Sequence, residues 1–245
     1  DLRMSRGLGD VYKRQVGDFS DERVHSDWTG WGIEVVCISD NNKGAPDGGA
    51  TTYDILSPYK TSECLAHELG HARGVPDIYA MEVKTNPISG TLFSPVTCMM
   101  NICWGGDSWS EYAQLLINRN KNLVRGQEGF IPLEEPKYPK NLVLNITRDG
   151  QPVKYATVNI YREEMYKNTV DVTAFMKKTL GTDGLLSLSP VTLFNGAGGG
   201  IGYGVLLIEV VDGESKTYRY IPVYEVQIAY LKGDTDQYTI EIKCD

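Results

Sequence analysis

The spacing of apolar and polar residues in the first half of the chain predicts strands, a long loop and two helices. The β-branched and apolar run Trp31 to Ile38 is typical of a strand, and the Gly-, Asn- and Asp-rich residues 39–49 are typical of a loop. Residues 50–55 have the composition of a short strand that could lie at a sheet edge. Helices are predicted over residues 61–74, which open on N-cap residues and end at a glycine, and from the capping box at residue 108 to about residue 120.

The hydrophobic period changes to two after a proline-rich segment, residues 131–139, which we predict to be a linker. Residues 142–146 alternate apolar and polar side chains, and a typical Asp-Gly turn follows them. About seven short strands at this spacing predict an antiparallel β-sandwich over residues 140–245. The expected strands cover residues 142–146, 156–160, 185–188, 205–211, 217–221, 226–231 and 238–242.

Composition and charge exclude several classes of protein. The 245 residues are 41% hydrophobic, which is enough for one large or two modest folded domains. The formal net charge of −8 argues against nucleic acid as a partner, because phosphates are neutralised by basic surfaces. The sequence contains no run of about eighteen apolar residues, so we predict no transmembrane segment.

The first fifteen residues have the character of a DNA-sequencing scar. Residues 10–15 resemble the translation of a transposon adapter used in library preparation, so residues 1–15 are excluded from the fold prediction. We therefore expect the natural protein to begin further upstream, with a signal peptide lost from this sequence. On that expectation the protein is secreted or lies at the cell surface.

Residues 67–77 carry the strongest chemical signal, the pattern His-Glu-x-x-His-x-x-Gly-x-x-Asp. His67 and His71 are four residues apart on the predicted helix, so both imidazoles project from one face and can hold one ion. A catalytic Zn²⁺ ion takes three protein ligands and a water molecule. Because Gly74 can adopt the left-handed conformation that turns the chain back, Asp77 can reach the ion as the third ligand.

Glu68 follows His67 directly and would flank the open coordination position. It is therefore the predicted general base, which takes a proton from the metal-activated water and delivers it to the leaving amine. The predicted function is that of a zinc-dependent endopeptidase acting on a protein or peptide substrate.

The motif resembles that of the metzincin zinc peptidases in its aspartate form, as in snapalysin-like and immune inhibitor A-like enzymes. Residues 75–79, Val-Pro-Asp-Ile-Tyr, are similar to the latter in particular. The resemblance implies an α+β fold, with an α/β metzincin-like catalytic domain at residues 16–130, incomplete at its N-terminus, before the β-sandwich of residues 140–245. It also implies a methionine turn beneath the zinc, with Met100 as the first choice and Met99 as the second.

The same resemblance implies where substrate and partners would bind. The strand near Gly49, Ala50 and Thr51 would form the upper rim of the cleft and pair with an extended peptide. Asn101 and Trp104 would wall the pocket for the residue after the cleaved bond. The sandwich resembles immunoglobulin-like or transthyretin-like modules of secreted bacterial enzymes, and a cell-surface or glycan ligand is open for it.

Some side chains near the motif have two interpretations. Cys98 and Cys103 could be bridged or could be buried free thiols, and the sequence does not decide between them. Arg73, Tyr79 and His25 could assist catalysis, but a solvated arginine, a packed tyrosine and a surface histidine are the more common roles.

Two other functions stay open on the sequence. The first is a surface adhesin or binding protein whose zinc site is structural or decayed; a structural site would have a fourth protein ligand in place of the water. The second is a zinc amidase that cleaves cell-wall peptides, for which a narrow pit is expected instead of a long cleft.

Overall fold

A computed structural model of the chain describes residues 37–38, 45–47, 50–53, 67, 70, 74–101, 108–120, 137–197 and 200–244. This described part is rich in β-strands and has few helices. The strands are β1 (Cys37–Ile38), β2 (Ala45–Asp47), β3 (Ala50–Tyr53), β4 (Asn141–Arg148), β5 (Gln151–Pro152), β6 (Thr157–Glu164), β7 (Met176–Thr179), β8 (Leu185–Leu188), β9 (Tyr203–Asp212), β10 (Ser215–Pro222) and β11 (Gln237–Cys244). The helices are a 3₁₀ turn (Tyr79–Met81), α1 (Glu111–Asn120), α2 (Pro190–Phe194) and α3 (Val223–Lys232), and His67 and Gly70 are also helical.

The small sheet of the first half has the order β1-β3-β2. β3 pairs with β1 in parallel and with β2 in antiparallel orientation, so it is the central strand and the predicted edge position is wrong. β2 lies inside the segment predicted to be a loop. Its Ala-Pro-Asp sequence has weak strand propensity, so the sequence pattern did not predict a strand there. β2 forms because it pairs with β3, which follows it after only two glycines in the sequence.

Two four-stranded sheets make up the second half. One has the order β10-β9-β6-β7 with all neighbours antiparallel. In the other, β4 pairs with β11 in parallel and with β5 and β8 in antiparallel orientation. The predicted β-rich half is confirmed, but its second sheet is mixed rather than antiparallel. Whether this half is immunoglobulin-like or transthyretin-like stays a prediction.

α3 occupies residues 223–232, where the strand 226–231 was expected. Val223, Val226 and Gln227 are buried at helical spacing, and Gly233 ends the helix with a left-handed φ of 118°. The run 226–231 could be read as a strand because both its buried and its half-buried positions are largely apolar or aromatic. β11 runs parallel to β4, and residues 149–236, which include α3, form the long crossover that parallel neighbours need.

The hydrophobic core contains residues from both halves of the sequence. Met81, Met100 and Tyr112 belong to the same buried cluster as Leu206 and Val226. The Tyr112 hydroxyl donates a hydrogen bond to Gln227, which joins α1 to α3. The described residues on either side of the predicted linker therefore pack against each other, and the proposed domain boundary itself stays a prediction.

Among the described helices, none combines the length and the apolar character required to cross a bilayer.

The β-turn before β8 provides a stability prediction. Gly184 has a φ of +69°, and a Cβ built on it would lie 2.7 Å from the Ile146 carbonyl oxygen. We expect Gly184→Ala to lower the free energy of unfolding by about 2–3 kcal/mol, because the left-handed backbone and the clash both oppose a side chain. Gly213→Ala is the control, since Gly213 has a φ of +64° but open space around it. Equal losses for both variants in urea titrations would contradict the predicted clash.

Candidate functional site

His67 is a buried helical residue whose ring is oriented by a backbone carbonyl. Its Nδ1 lies 2.9 Å from the Met99 carbonyl oxygen. Because a carbonyl only accepts hydrogen bonds, Nδ1 carries the hydrogen and donates it. In the neutral ring the lone pair is then on Nε2.

The Nε2 atom of His67 faces Asp77, with 3.1 Å between it and Oδ1. A lone pair on Nε2 would face the lone pairs of the carboxylate, which is repulsive. A cation shared by the two atoms, either a proton or a metal ion, removes that repulsion. The pair therefore forms a site that favours a positive charge between its two atoms.

The chain turns back at Gly74 and so brings Asp77 to the helix. Gly74 has a φ of 79°, in the left-handed region, and the Val75 N–H donates to the Gly70 carbonyl at 3.1 Å. The next tether is the Ile78 N–H, which donates to the Met100 carbonyl at 2.9 Å. This is the helix-ending turn expected from the motif spacing.

Met100 is fully buried and packs under the helix that holds His67. A Cβ built on Gly70 would lie 2.6 Å from the Met100 sulfur and 3.0 Å from the ring of Trp109. The helix approaches this closely because Gly70 has no side chain. The Met99 carbonyl orients the imidazole, while Met100 supplies the packing surface. The methionine-turn role of Met100 stays a prediction.

Two tyrosine hydroxyls hold the other oxygen of Asp77. Tyr79 donates to Oδ2 at 2.9 Å and Tyr166 donates to the same atom at 2.8 Å. Their rings meet edge to face, with centroids 6.0 Å apart. Tyr79 is 41% exposed, so the expectation that it is a packed tyrosine is wrong. Its contribution is the hydrogen bond that its hydroxyl donates to Asp77.

Tyr166 is the site residue that the sequence did not indicate. It lies 89 residues from Asp77, in the connection between β6 and β7. Hydropathy predicts nothing for it, since it stands alone in a polar segment. A local signal would have been the following Lys-Asn pair, because asparagine is common at left-handed turn positions.

A half-open groove of about 510 Å³ adjoins Asp77. It is wide enough for a small ligand or for part of a peptide. Its lining combines apolar side chains with basic and acidic ones, among them Leu116, Arg119, Lys137, Glu164, Met165 and Tyr166.

A buried carboxyl supports the turn that carries Tyr166. Glu163 is fully buried, and its Oε1 accepts a hydrogen bond from the Asn168 N–H at 3.3 Å. Burial raises the pKa of Glu163 to about 8, and the backbone N–H groups of Asn168 and Gly204 oppose that rise in part. The carboxyl is thus largely neutral at neutral pH.

The remaining predicted site residues are placed only in part. Ala50 and Thr51 lie in β3, between two neighbouring strands, so the expected pairing with a substrate would have to use a strand that already has partners. Asn101 donates from its side chain to the Val96 carbonyl at 3.3 Å. Their roles in substrate binding stay predictions. Glu68, His71, Gly49 and Trp104 lie outside the described residues.

Within the described ranges, no group of three or more His, Cys, Asp and Glu side chains is placed to hold a metal ion. Two of the four predicted zinc-site residues fall outside those ranges, so the predicted ligand set stays untested. Cys98 is a buried free thiol that accepts a hydrogen bond from the Ser110 N–H at 3.2 Å, which decides between the two interpretations of this residue.

Comparison with known proteins gives few similarities. No family model matches the sequence, and no curated protein matches it. A mercury-inhibited catechol 1,2-dioxygenase from Acinetobacter sp. ADP1 is 13% identical with a TM-score of 0.23, over 43% of this chain and 52% of that chain. A 9R-lipoxygenase from Cyanothece PCC8801 is 10% identical with a TM-score of 0.26, over 75% of this chain and 23% of that chain. The chain thus spans about half of the dioxygenase and a quarter of the lipoxygenase, and neither likeness indicates a fold or an activity.

The predicted membership of the metzincin family is therefore wrong, including its immune inhibitor A-like and snapalysin-like forms. No family model matches the sequence. The described secondary structure is mostly β-strand, and no metzincin α/β domain is present among the described residues. A short motif can reproduce the local spacing of a family without the surrounding fold, and residues 67–77 must be judged by their own chemistry.

Proposed function

We propose that the protein is a zinc-dependent endopeptidase whose site consists of His67, Glu68, His71 and Asp77. The observation that carries the proposal is the 3.1 Å approach of His67 Nε2 to Asp77 Oδ1, ten residues apart in the motif. The spacing of the two histidines supports it, since residues four apart on a helix share one face. The proposal rests on these residues and on no family assignment.

The donor set of the described pair fits a zinc ion. Zinc takes imidazole nitrogen and carboxylate oxygen at about 2.0–2.2 Å, so two such ligands at a tetrahedral angle lie roughly 3.4 Å apart. The observed 3.1 Å between Nε2 and Oδ1 is close to that separation. The Met99 carbonyl leaves the lone pair on Nε2, which is the state of histidine that binds metals.

Each part of the proposed site would have a separate role in peptide hydrolysis. When bound, zinc supplies Lewis-acid polarisation of the scissile carbonyl and makes a water molecule more acidic. The Glu68 carboxylate accepts a proton from the attacking water and transfers it to the nitrogen of the leaving amine. The groove beside Asp77 would hold part of the peptide and limit access of bulk water.

Metal content and chelator sensitivity test the proposal. We expect the purified protein to bind about one zinc per chain and to cleave a fluorescent casein substrate, with cleavage lost in excess chelator and restored by zinc. Asp77→Ala should bind zinc at least roughly ten-fold more weakly, since one of three ligands is removed. Asp183→Ala is the matched control, because Asp183 lies in the turn before β8 and far along the chain from the motif.

The two alternative functions give different results in the same assay. Zinc that binds tightly without any chelator-sensitive cleavage would favour a surface binding protein with a structural or decayed site. Cleavage of cell-wall peptides without cleavage of casein would favour a zinc amidase. Absence of zinc binding in the wild-type protein would contradict all three.

A further inference from the structure

Asp77 is the meeting point of three side chains that come from separate parts of the chain. His67 comes from the helix, Tyr79 from the 3₁₀ turn and Tyr166 from the connection after β6. The imidazole faces Oδ1, and the two phenols both donate to Oδ2. One carboxylate oxygen therefore faces the imidazole, and the other accepts the hydrogen bonds of both phenols.

The connection that carries Tyr166 is tied to the 3₁₀ turn by its backbone as well. The Tyr166 N–H donates to the Ala80 carbonyl at 2.8 Å, and the Asn168 side chain donates to the Glu82 carbonyl at 3.0 Å. The Lys84 N–H in turn donates to the Asn168 carbonyl at 2.9 Å. Several hydrogen bonds therefore hold the connection in place, and they position the Tyr166 hydroxyl beside Asp77.

Tyr166 occupies a backbone conformation that is unfavourable for a tyrosine. Its φ is 69°, in the left-handed region, which is sterically unfavourable for a bulky residue. Its side chain is 59% exposed, so burial of the ring offers little compensation. The hydrogen bond from its hydroxyl to Asp77 is a polar contact that can offset the strain.

We propose that Tyr166, together with Tyr79, is a positioning residue that orients Asp77 as a zinc ligand. The two hydroxyls occupy Oδ2 and leave Oδ1 as the oxygen that binds the ion in company with His67 Nε2. This inference rests on the proposed function. It makes the β-rich second half part of the metal site, because the fold of that half supplies one of the two hydroxyls.

Removal of a single hydroxyl tests this role without a change of ring or backbone. We expect Tyr166→Phe to weaken zinc binding roughly 10–100-fold, which is the usual effect of losing a hydrogen bond to a ligating side chain. Tyr79→Phe should act in the same direction, and the double variant should be weaker than either. The measurement is competition for zinc against a chromophoric chelator, with thermal unfolding of the metal-free proteins as the check on folding.

Tyr155→Phe is the matched control. Tyr155 also has a left-handed backbone, with a φ of 60°, and is 68% exposed in the same half of the chain. Its variant should bind zinc as the wild type does. Wild-type affinity in Tyr166→Phe, or an equal loss in Tyr155→Phe, would overturn the inference.

The outcomes for the two proposals are distinguishable. If the wild type binds no zinc, the proposed function fails and the positioning role fails with it. If zinc binds but casein is not cleaved, the peptidase proposal fails while the affinities of the tyrosine variants still decide the positioning role. If cleavage occurs and Tyr166→Phe binds zinc normally, only the positioning role is wrong.

Discussion

Glu68→Ala is expected to lower the rate of peptide cleavage roughly 100-fold to 10,000-fold, the range typical for loss of a general base. Zinc content should stay near that of the wild type, because Glu68 is not one of the three proposed ligands. The change should appear mainly in kcat, since Glu68 acts on the proton of the attacking water and not on the bound peptide. Cleavage rates with a fluorogenic peptide, together with metal analysis of each preparation, provide the measurement.

The contrast with His67→Ala makes this test specific. That variant should lose both zinc and cleavage, because the imidazole whose Nε2 faces Asp77 is removed. Glu214→Ala is the neutral control, since Glu214 is exposed in the turn between β9 and β10. A Glu68→Ala protein that keeps its zinc and cleaves at the wild-type rate would exclude the assigned role.

Glu163→Gln is expected to stabilise the protein at alkaline pH and to leave it almost unchanged near pH 4.5. Burial raises the pKa of Glu163 from 4.5 to about 8, and the charges of Glu164 and Asp171 add to the rise. The contribution of this group to stability is therefore complete below about pH 4.5 and is lost as the pH rises through about 8. Glutamine stays neutral throughout and avoids that loss.

The expected gain is on the order of 4 kcal/mol above about pH 9, since one pKa unit corresponds to about 1.4 kcal/mol. Urea unfolding of wild type and variant across the pH range would measure it. Glu214→Gln removes an exposed charge and serves as the control. Parallel pH profiles for wild type and Glu163→Gln would show that the Glu163 carboxyl does not titrate at a shifted pKa.

Glu163 also supports the turn that carries Tyr166. The carboxyl accepts a hydrogen bond from Asn168, in the same turn as Tyr166. Gly204 leaves room for it, because a Cβ there would lie 2.7 Å from Met81 Cγ and 3.1 Å from Glu163 Oε2. Ionisation of Glu163 at high pH would place a charge at this buried position and loosen the turn. Any loss of zinc affinity above about pH 8 should then be smaller in Glu163→Gln.

Local patterns were reliable where one short segment determines its own structure. The alternation in residues 142–146 predicted β4, and the helical spacing after residue 108 predicted α1, because side-chain periodicity acts within a few residues. The same holds for Gly74, whose left-handed conformation was expected from its position after the helix. The predicted capping box is displaced, since the helix begins at Glu111 and Ser110, not Ser108, accepts the hydrogen bond from the Ala113 N–H. The failure at α3 was also local, since an apolar run of that length is ambiguous between strand and helix.

Strand pairing and family membership could not be predicted from such local patterns. The parallel pairing of β11 with β4 joins residues about 96 positions apart, and the central position of β3 depends on β1. A strand pattern states that a strand forms and not which strand it joins. The motif of residues 67–77 likewise predicted a chemistry, and the extension from that chemistry to a metzincin fold was wrong.

The sequence by itself determined the β-rich second half, the turn at Gly74 and the choice of His67 and Asp77 as partners, because each depends on residues close together in the chain. Tertiary structure decided that Tyr79 and Tyr166 share one oxygen of Asp77 and that Glu163 is buried beneath the turn. The physical reason is that hydrogen-bond partners and dielectric surroundings are set by distance in space, and 89 residues separate Tyr166 from the carboxylate it contacts.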